Sequence, residues 1–120
     1  MLVGQWRKDE NYYYGRFIGE VTFSEDGRCA RSFAVYKNDG VTLQPLSIER
    51  GRWSVESGYI LFTDTIGEGL EPGEEDYKVP TKSPDQREWV MQLNAEELMT
   101  VDERNKIDAY KRLRKETPDN

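Results

Sequence analysis

The stretch Phe17-Ile18-Gly19-Glu20-Val21-Thr22-Phe23, Ser24-Glu25-Asp26-Gly27, Arg28-Cys29-Ala30-Arg31-Ser32-Phe33-Ala34-Val35-Tyr36 decides the fold. Asp26-Gly27 between two alternating runs predicts a β-hairpin, because glycine takes the positive φ that a tight turn demands. Phe17, Val21 and Phe23 on the first arm, and Cys29, Phe33 and Val35 on the second, all fall on odd positions. Side chains alternate across a strand, so each arm offers one apolar face to a core.

The same theme extends in both directions. Residues 2–7 read as a first strand, followed by a polar break at Asp9-Glu10-Asn11. Gly15 and Gly19 inside a strand pattern predict bulges or bends. Asn38-Asp39-Gly40 is turn chemistry, and residues 46–55 form a fourth strand with a bulge at Gly51. Residues 59–63 are apolar on both faces, as in a covered or closed sheet. The glycine-rich, acidic stretch 64–76 reads as a loop, residues 77–79 as a short strand stopped by Pro80, and 81–86 as another loop. Trp89, Met91 and Leu93 share one side of the next strand, and residues 98–101 follow a turn. Residues 107–114 suit a helix through Ala109 and Leu113, or a strand through the parity of Ile107, Ala109 and Leu113. The four-residue turn before them favours the strand. Residues 115–120 read as a frayed tail. Eight or nine short strands linked mostly by tight turns predict an all-β chain, a sandwich or an antiparallel up-and-down barrel, and hairpin links favour the barrel.

Composition narrows the function classes. The chain has 120 residues, which suits one domain, here residues 1–114. Acidic residues number 23 against 17 basic ones, a formal charge of −6, which argues against nucleic acid and anionic membrane surfaces as partners. There is no histidine, which removes His-based nucleophile pairs and His-ligated metal sites. Cys29 is the only cysteine, so no internal disulfide forms, and its apolar-face position reads as an inert core thiol. No run is long enough to span a bilayer as a helix. With Met1 as the native start the expected location is the cytoplasm; with an export signal removed it is the periplasm or beyond.

Several motifs, in order, resemble the small bacterial lipocalin-like domains. Leu2-Val3-Gly4-Gln5-Trp6 is similar to the Gly-x-Trp opening of lipocalin-like barrels, and Thr22-Phe23-Ser24-Glu25-Asp26-Gly27 to the Phe-x-x-Asp-Gly hairpin of the small domains. Gly51-Arg52-Trp53 before Gly58-Tyr59-Ile60-Leu61, and the closing Ala109-Tyr110-Lys111-Arg112, complete the likeness. The resemblance implies a barrel that binds small ligands, with Arg112 packed over Trp6 to close one end. The chain departs from secreted lipocalins in its length and in lacking a disulfide pair.

Four candidate sites follow. The barrel interior would be walled by Phe17, Phe33, Tyr77, Trp89 and Met91, either as core filling or as a ligand cavity. Arg31 and Arg50 share parity with apolar residues; each either points inward, paired with a carboxylate or an acidic ligand, or is turned outward by a bulge. The acidic stretch Asp64, Glu68, Glu71, Glu74, Glu75, Asp76 has oxygen donors but no EF-hand spacing, so a solvated loop and no metal is expected. A catalytic carboxylate pair finds no apolar setting, since Glu20 and Glu88 fall on the presumed outer face. Tyr12-Tyr13-Tyr14 would suit a protein-binding surface or cover the barrel mouth. The expected function is therefore non-enzymatic binding of a small apolar or amphipathic ligand without a cofactor, by a monomer or homodimer. The rival is a protein-binding module, such as an envelope accessory protein or hydrolase inhibitor, using the barrel mouth or edge. A carboxylate-dependent hydrolase comes third.

Overall fold

The computed structural model describes residues 2–12, 15–37, 43–69 and 81–113. Nine strands follow one another: β1 Gly4–Tyr12, β2 Gly15–Phe23, β3 Arg28–Lys37, β4 Leu43–Glu56, β5 Tyr59–Gly69, β6 Thr81–Lys82, β7 Gln86–Leu93, β8 Glu97–Asp102 and β9 Ile107–Leu113. All pairings are antiparallel. The order β4-β3-β2-β1-β9-β8-β7-β5 returns to β4, so eight strands close a meander barrel, and the two-residue β6 lies beside β5. Closure removes the free edges that an open sheet would present to another chain. No described helix is present to cross a membrane.

The organising hairpin forms as its residues dictate. Gly27 adopts φ 86°, Gly27 N–H donates to the Ser24 carbonyl at 3.1 Å, and the Asp26 carboxylate accepts from Arg28 N–H at 3.1 Å. Phe23 then faces Cys29 across the ladder. Trp53 of β4 docks on this turn: its N–H donates to the Gly27 carbonyl and its indole N–H to the Ser24 carbonyl, both at 2.9 Å.

Several boundaries differ from the sequence reading. β1 continues through Asp9-Glu10-Asn11, because each residue is paired with β2 in an unbroken ladder from Gly4–Phe23 to Tyr12–Gly15. Gly19 is therefore no bulge; it pairs regularly with Lys8 and Phe33. The bulge at Gly51 is present as a register shift between Arg50 and Arg52. β5 runs on to Gly69 instead of ending at Thr63, since β4 supplies ladder partners to that point. Thr81 and Lys82 form a short strand where a loop was expected. The last segment is a strand, held by β8 over residues 107–111 and by β1 over residues 111–113. Tyr13, Tyr14, Tyr77, the acidic residues 71–76 and the tail 115–120 lie outside the described residues.

The core fills one end of the barrel. Leu2, Trp6, Val21, Phe23, Cys29, Ile60, Phe62 and Leu98 form one buried cluster, with Trp53, Val90, Leu93 and Tyr110 packed against it. Phe23 meets Trp53 edge-on at 5.1 Å between centroids and lies 6.0 Å from Phe62. Such contacts add to the ~1.5–3 kcal/mol gained by burying each large apolar side chain. Trp6 is fully buried; its indole N–H donates to the Leu2 carbonyl at 2.9 Å. The Arg112 guanidinium carbon lies 4.2 Å from the Trp6 ring centroid, while Arg112 Nη1 and Nε donate to the carbonyls of Val3 and Ala95, each at 2.8 Å. This end is sealed.

Candidate functional site: a charged cavity in the other half of the barrel

Beyond the apolar cluster the inward positions turn polar. β1 places Lys8 inward, β3 Arg31, β4 Glu49, β7 Glu88, β8 Thr100, and β9 Asp108 and Tyr110. Above them a cavity of about 460 Å³ is bounded on one side by Phe17 and Phe33 and reaches Arg104 and Lys106 in the β8–β9 turn. The two phenylalanine rings stack at 5.8 Å between centroids.

Two ion-paired groups make the floor. Lys8 is 4% exposed, and its Nζ donates to Asp108 Oδ1 at 2.7 Å with Glu10 Oε1 at 3.4 Å. The ammonium also lies 5.3 Å from the Phe17 centroid and 5.9 Å from that of Tyr110. Burial pulls the Lys8 pKa down, but Asp108 and Glu10 outweigh it and leave it above the ordinary lysine value. Arg31 Nη2 meets Glu49 Oε2 at 2.8 Å and donates to Gln86 Oε1 at 3.2 Å, and the guanidinium rests 4.3 Å from the Phe62 centroid. A buried arginine needs a carboxylate partner, and the chain supplies its own.

Glu88 is different. It is 9% exposed, and its Oε1 accepts the Thr100 hydroxyl at 2.9 Å. Its Oε2 has only Arg31 Nη1 nearby, at 3.8 Å, too far for a hydrogen bond. Burial therefore pushes the Glu88 carboxyl up, against the Thr100 bond and the Arg31 charge, with Asp108 and Asp102 adding to the rise. The Tyr110 phenol is also pushed far up, first by burial and then by the Glu88 and Asp108 charges.

The sequence-derived residues divide. Phe17, Arg31 and Phe33 line the cavity. Trp89 and Met91 do not: they are 40% and 55% exposed on the outer face. Register decides this, because Glu88 sits opposite Ile60, which is 1% exposed and inward, while Trp89 sits opposite Tyr59. Leu93 regains the core through a register shift between Val90 and Gln92. Arg50 is exposed, turned outward because its neighbour Glu49 shares the inward face with Arg31. Tyr77 lies outside the described residues. Glu20 is on the outer face beside Arg7, at 3.3 Å, as expected, but Glu88 is inside.

Lys8, Glu49, Glu88, Thr100, Asp108 and Tyr110 were missed as site residues. An apolar-parity search is blind to them, since Lys8 two positions after Trp6, and Asp108 two before Tyr110, look like surface charges until the ladder pairs them. Among the described residues no cluster of three or more acidic, cysteine or histidine side chains is arranged to hold a metal ion. Asp64 is exposed at φ 52°.

No family model matches this chain, and no curated protein matches it significantly. Its architecture is that of an eight-stranded, closed antiparallel barrel, consistent with a lipocalin-like fold.

Proposed function

We propose that the protein binds a small amphipathic ligand in the charged half of the barrel and performs no chemistry on it. The observation that carries this reading is the 460 Å³ cavity with an aromatic pair on one wall and charged groups on its floor. That volume is within the range of small-molecule sites, and Phe17 and Phe33 give a mostly charged lining its apolar wall. An amphipathic occupant suits it better than a purely apolar one, because the apolar end of the barrel is already filled by the Trp6–Phe23–Phe62 cluster. The floor carboxylates serve as ion-pair partners of Lys8 and Arg31, which fits binding better than hydrolysis.

The test is a metabolite-library titration followed by backbone amide chemical shifts, with native mass spectrometry of detergent-free protein to identify anything carried through purification. Amphipathic compounds should move the amides of Phe17, Phe33, Glu88 and Asp108. Silence at all four across the library, up to millimolar concentration, overturns the reading.

A protein-binding role has its own supporting observation. Tyr59, Trp89, Val101 and Ile107 are successive ladder partners across β5, β7, β8 and β9, forming an outward row in which Trp89 is 40% and Ile107 52% exposed. An outward apolar row with an exposed tryptophan is a feature of recognition surfaces. This row replaces the barrel edge as the surface such a role would use.

A further inference from the structure

We propose that the cavity takes an uncharged, polyhydroxylated ring, the chemistry of a monosaccharide, with hydroxyls seated at two split ion pairs and its C–H face against Phe17 and Phe33. The inference rests on the ligand-binding reading above and names the class of the ligand. Three observations carry it.

The first is two pairs of opposite charge that stop short of contact. Arg31 Nη1 and Glu88 Oε2 stand 3.8 Å apart, and so do Lys106 Nζ and Asp108 Oδ1, at 3.8 Å. All four residues line the cavity. At that separation neither pair hydrogen-bonds directly. A hydroxyl beside such a pair can accept from the cation and donate to the carboxylate at once, since it carries one donor and two acceptor lone pairs. An ammonium in the same place would meet the carboxylate but face the cation with like charge, and a carboxylate would do the reverse. Two such seats suit a ligand with at least two hydroxyls. The second observation is the sum of charge. The described lining carries five Lys and Arg side chains and five Asp and Glu. Its deepest cations already have their own carboxylates: Lys8 has Asp108 at 2.7 Å, and Arg31 has Glu49 at 2.8 Å. A ligand of either sign would bring in a charge with no spare counter-charge, and its desolvation would weaken binding. Hydroxyls use this lining without breaking its pairs, and their bonds to ionised groups are stronger than bonds between neutral ones.

The third is the wall. Lys8, Gly19 and Phe33 are ladder neighbours across β1, β2 and β3. Gly19 has no side chain, so Phe17, Phe33 and the Lys8 stem close over it; the position a Cβ would take lies 3.5 to 3.6 Å from all three. This sets aromatic surface beside the floor, with the Lys8 ammonium 5.3 Å from the Phe17 centroid. A sugar ring has the matching division, with hydroxyls around its edge and a face of C–H bonds that buries against an aromatic ring.

The experiment uses two series of probes, each a neutral sugar with its own amine and its own uronate: glucose, glucosamine and glucuronate, and galactose, galactosamine and galacturonate. Each is titrated into the intact protein at pH 7 and followed by amide chemical shifts. In at least one series the neutral sugar should move Phe17, Phe33, Glu88 and Asp108 and bind about tenfold more tightly than its charged counterparts. Lys106→Met and Glu88→Gln, one at each split pair, should each weaken that sugar about fivefold, as loss of a charge-assisted bond does. Equal or tighter binding of the amine or the uronate in both series overturns the neutral assignment and leaves the ligand-binding reading standing. Sugar binding unchanged by both substitutions, in variants whose melts show them folded, overturns the seating at the split pairs. Silence from all six probes while library compounds bind the cavity rejects the sugar alone; silence from every compound rejects both.

Discussion

Lys8→Met removes one partner of the most buried ion pair and keeps most of the side-chain volume. At 2.7 Å the Lys8–Asp108 attraction is about 6 kcal/mol with an effective dielectric of ~20. Desolvation of the ammonium offsets about half of that gross figure, and breaking a buried pair commonly costs ~3–5 kcal/mol because the remaining charge is stranded. Asp108 would be left 7% exposed, with Lys106 at 3.8 Å as its cationic neighbour. Because the cavity admits water to this region, the lower figure applies, about 3 kcal/mol. For a domain of this size that corresponds to a fall in Tm of roughly 10–15 °C. The assay is urea unfolding followed by tryptophan fluorescence, with Trp6 as the buried reporter. Lys8→Met with Asp108→Leu should recover to within about 1 kcal/mol of wild type, since an apolar pair strands no charge. Lys8→Met within about 0.5 kcal/mol of wild type, or a double variant no better than the single, would refute the argument. The pH dependence adds a second signature. The folded pKa of Lys8 lies above its ordinary 10.5, so its contribution is complete below that value and lost as pH rises through the folded pKa. Lys8→Met should lack this component of the alkaline loss.

Glu88→Gln should raise stability at pH 7 and leave it unchanged at pH 3.5. Burial holds the folded Glu88 pKa above its ordinary 4.5, so stability is complete below that value and falls as pH rises through the folded pKa; a variant less stable than wild type at pH 7 would count against this, measured by thermal melts across pH. Arg112→Ala should cost about 2 kcal/mol by losing two bonds to backbone carbonyls and the contact with Trp6; urea unfolding reads this, and a cost below ~0.5 kcal/mol would mean that the sealed end does not depend on it. The Cys29 thiol, 6% exposed and pushed up by burial, should react with a thiol reagent only as fast as the protein opens. Labelling at the rate of a free cysteine in native buffer would contradict its core position.

The barrel was legible in the sequence because its signals are local. Asp26-Gly27 specifies a turn by the φ of one glycine, and the parity of Phe17, Val21, Phe23, Cys29 and Phe33 selects an inward face within each arm. The closing contact of Arg112 on Trp6 came from resemblance, and its geometry is present. The face of β7 was not legible. Trp89 and Met91 look like core by hydrophobicity, but a strand's two faces are equivalent until its neighbours choose between them, and Ile60 opposite Glu88 makes the choice.

The cavity lay further from view for the same reason. Lys8 and Asp108 are 100 residues apart, and either alone reads as a solvated charge. Only closure of β9 onto β1 brings them within 2.7 Å, in a setting where each makes the other's burial possible. Local pattern was enough to determine strands, turns and an all-β barrel, since those depend on backbone preference and on alternation along one segment. Which charges face inward, and hence which ligand chemistry the barrel favours, depends on long-range register, and that is a property of the closed sheet.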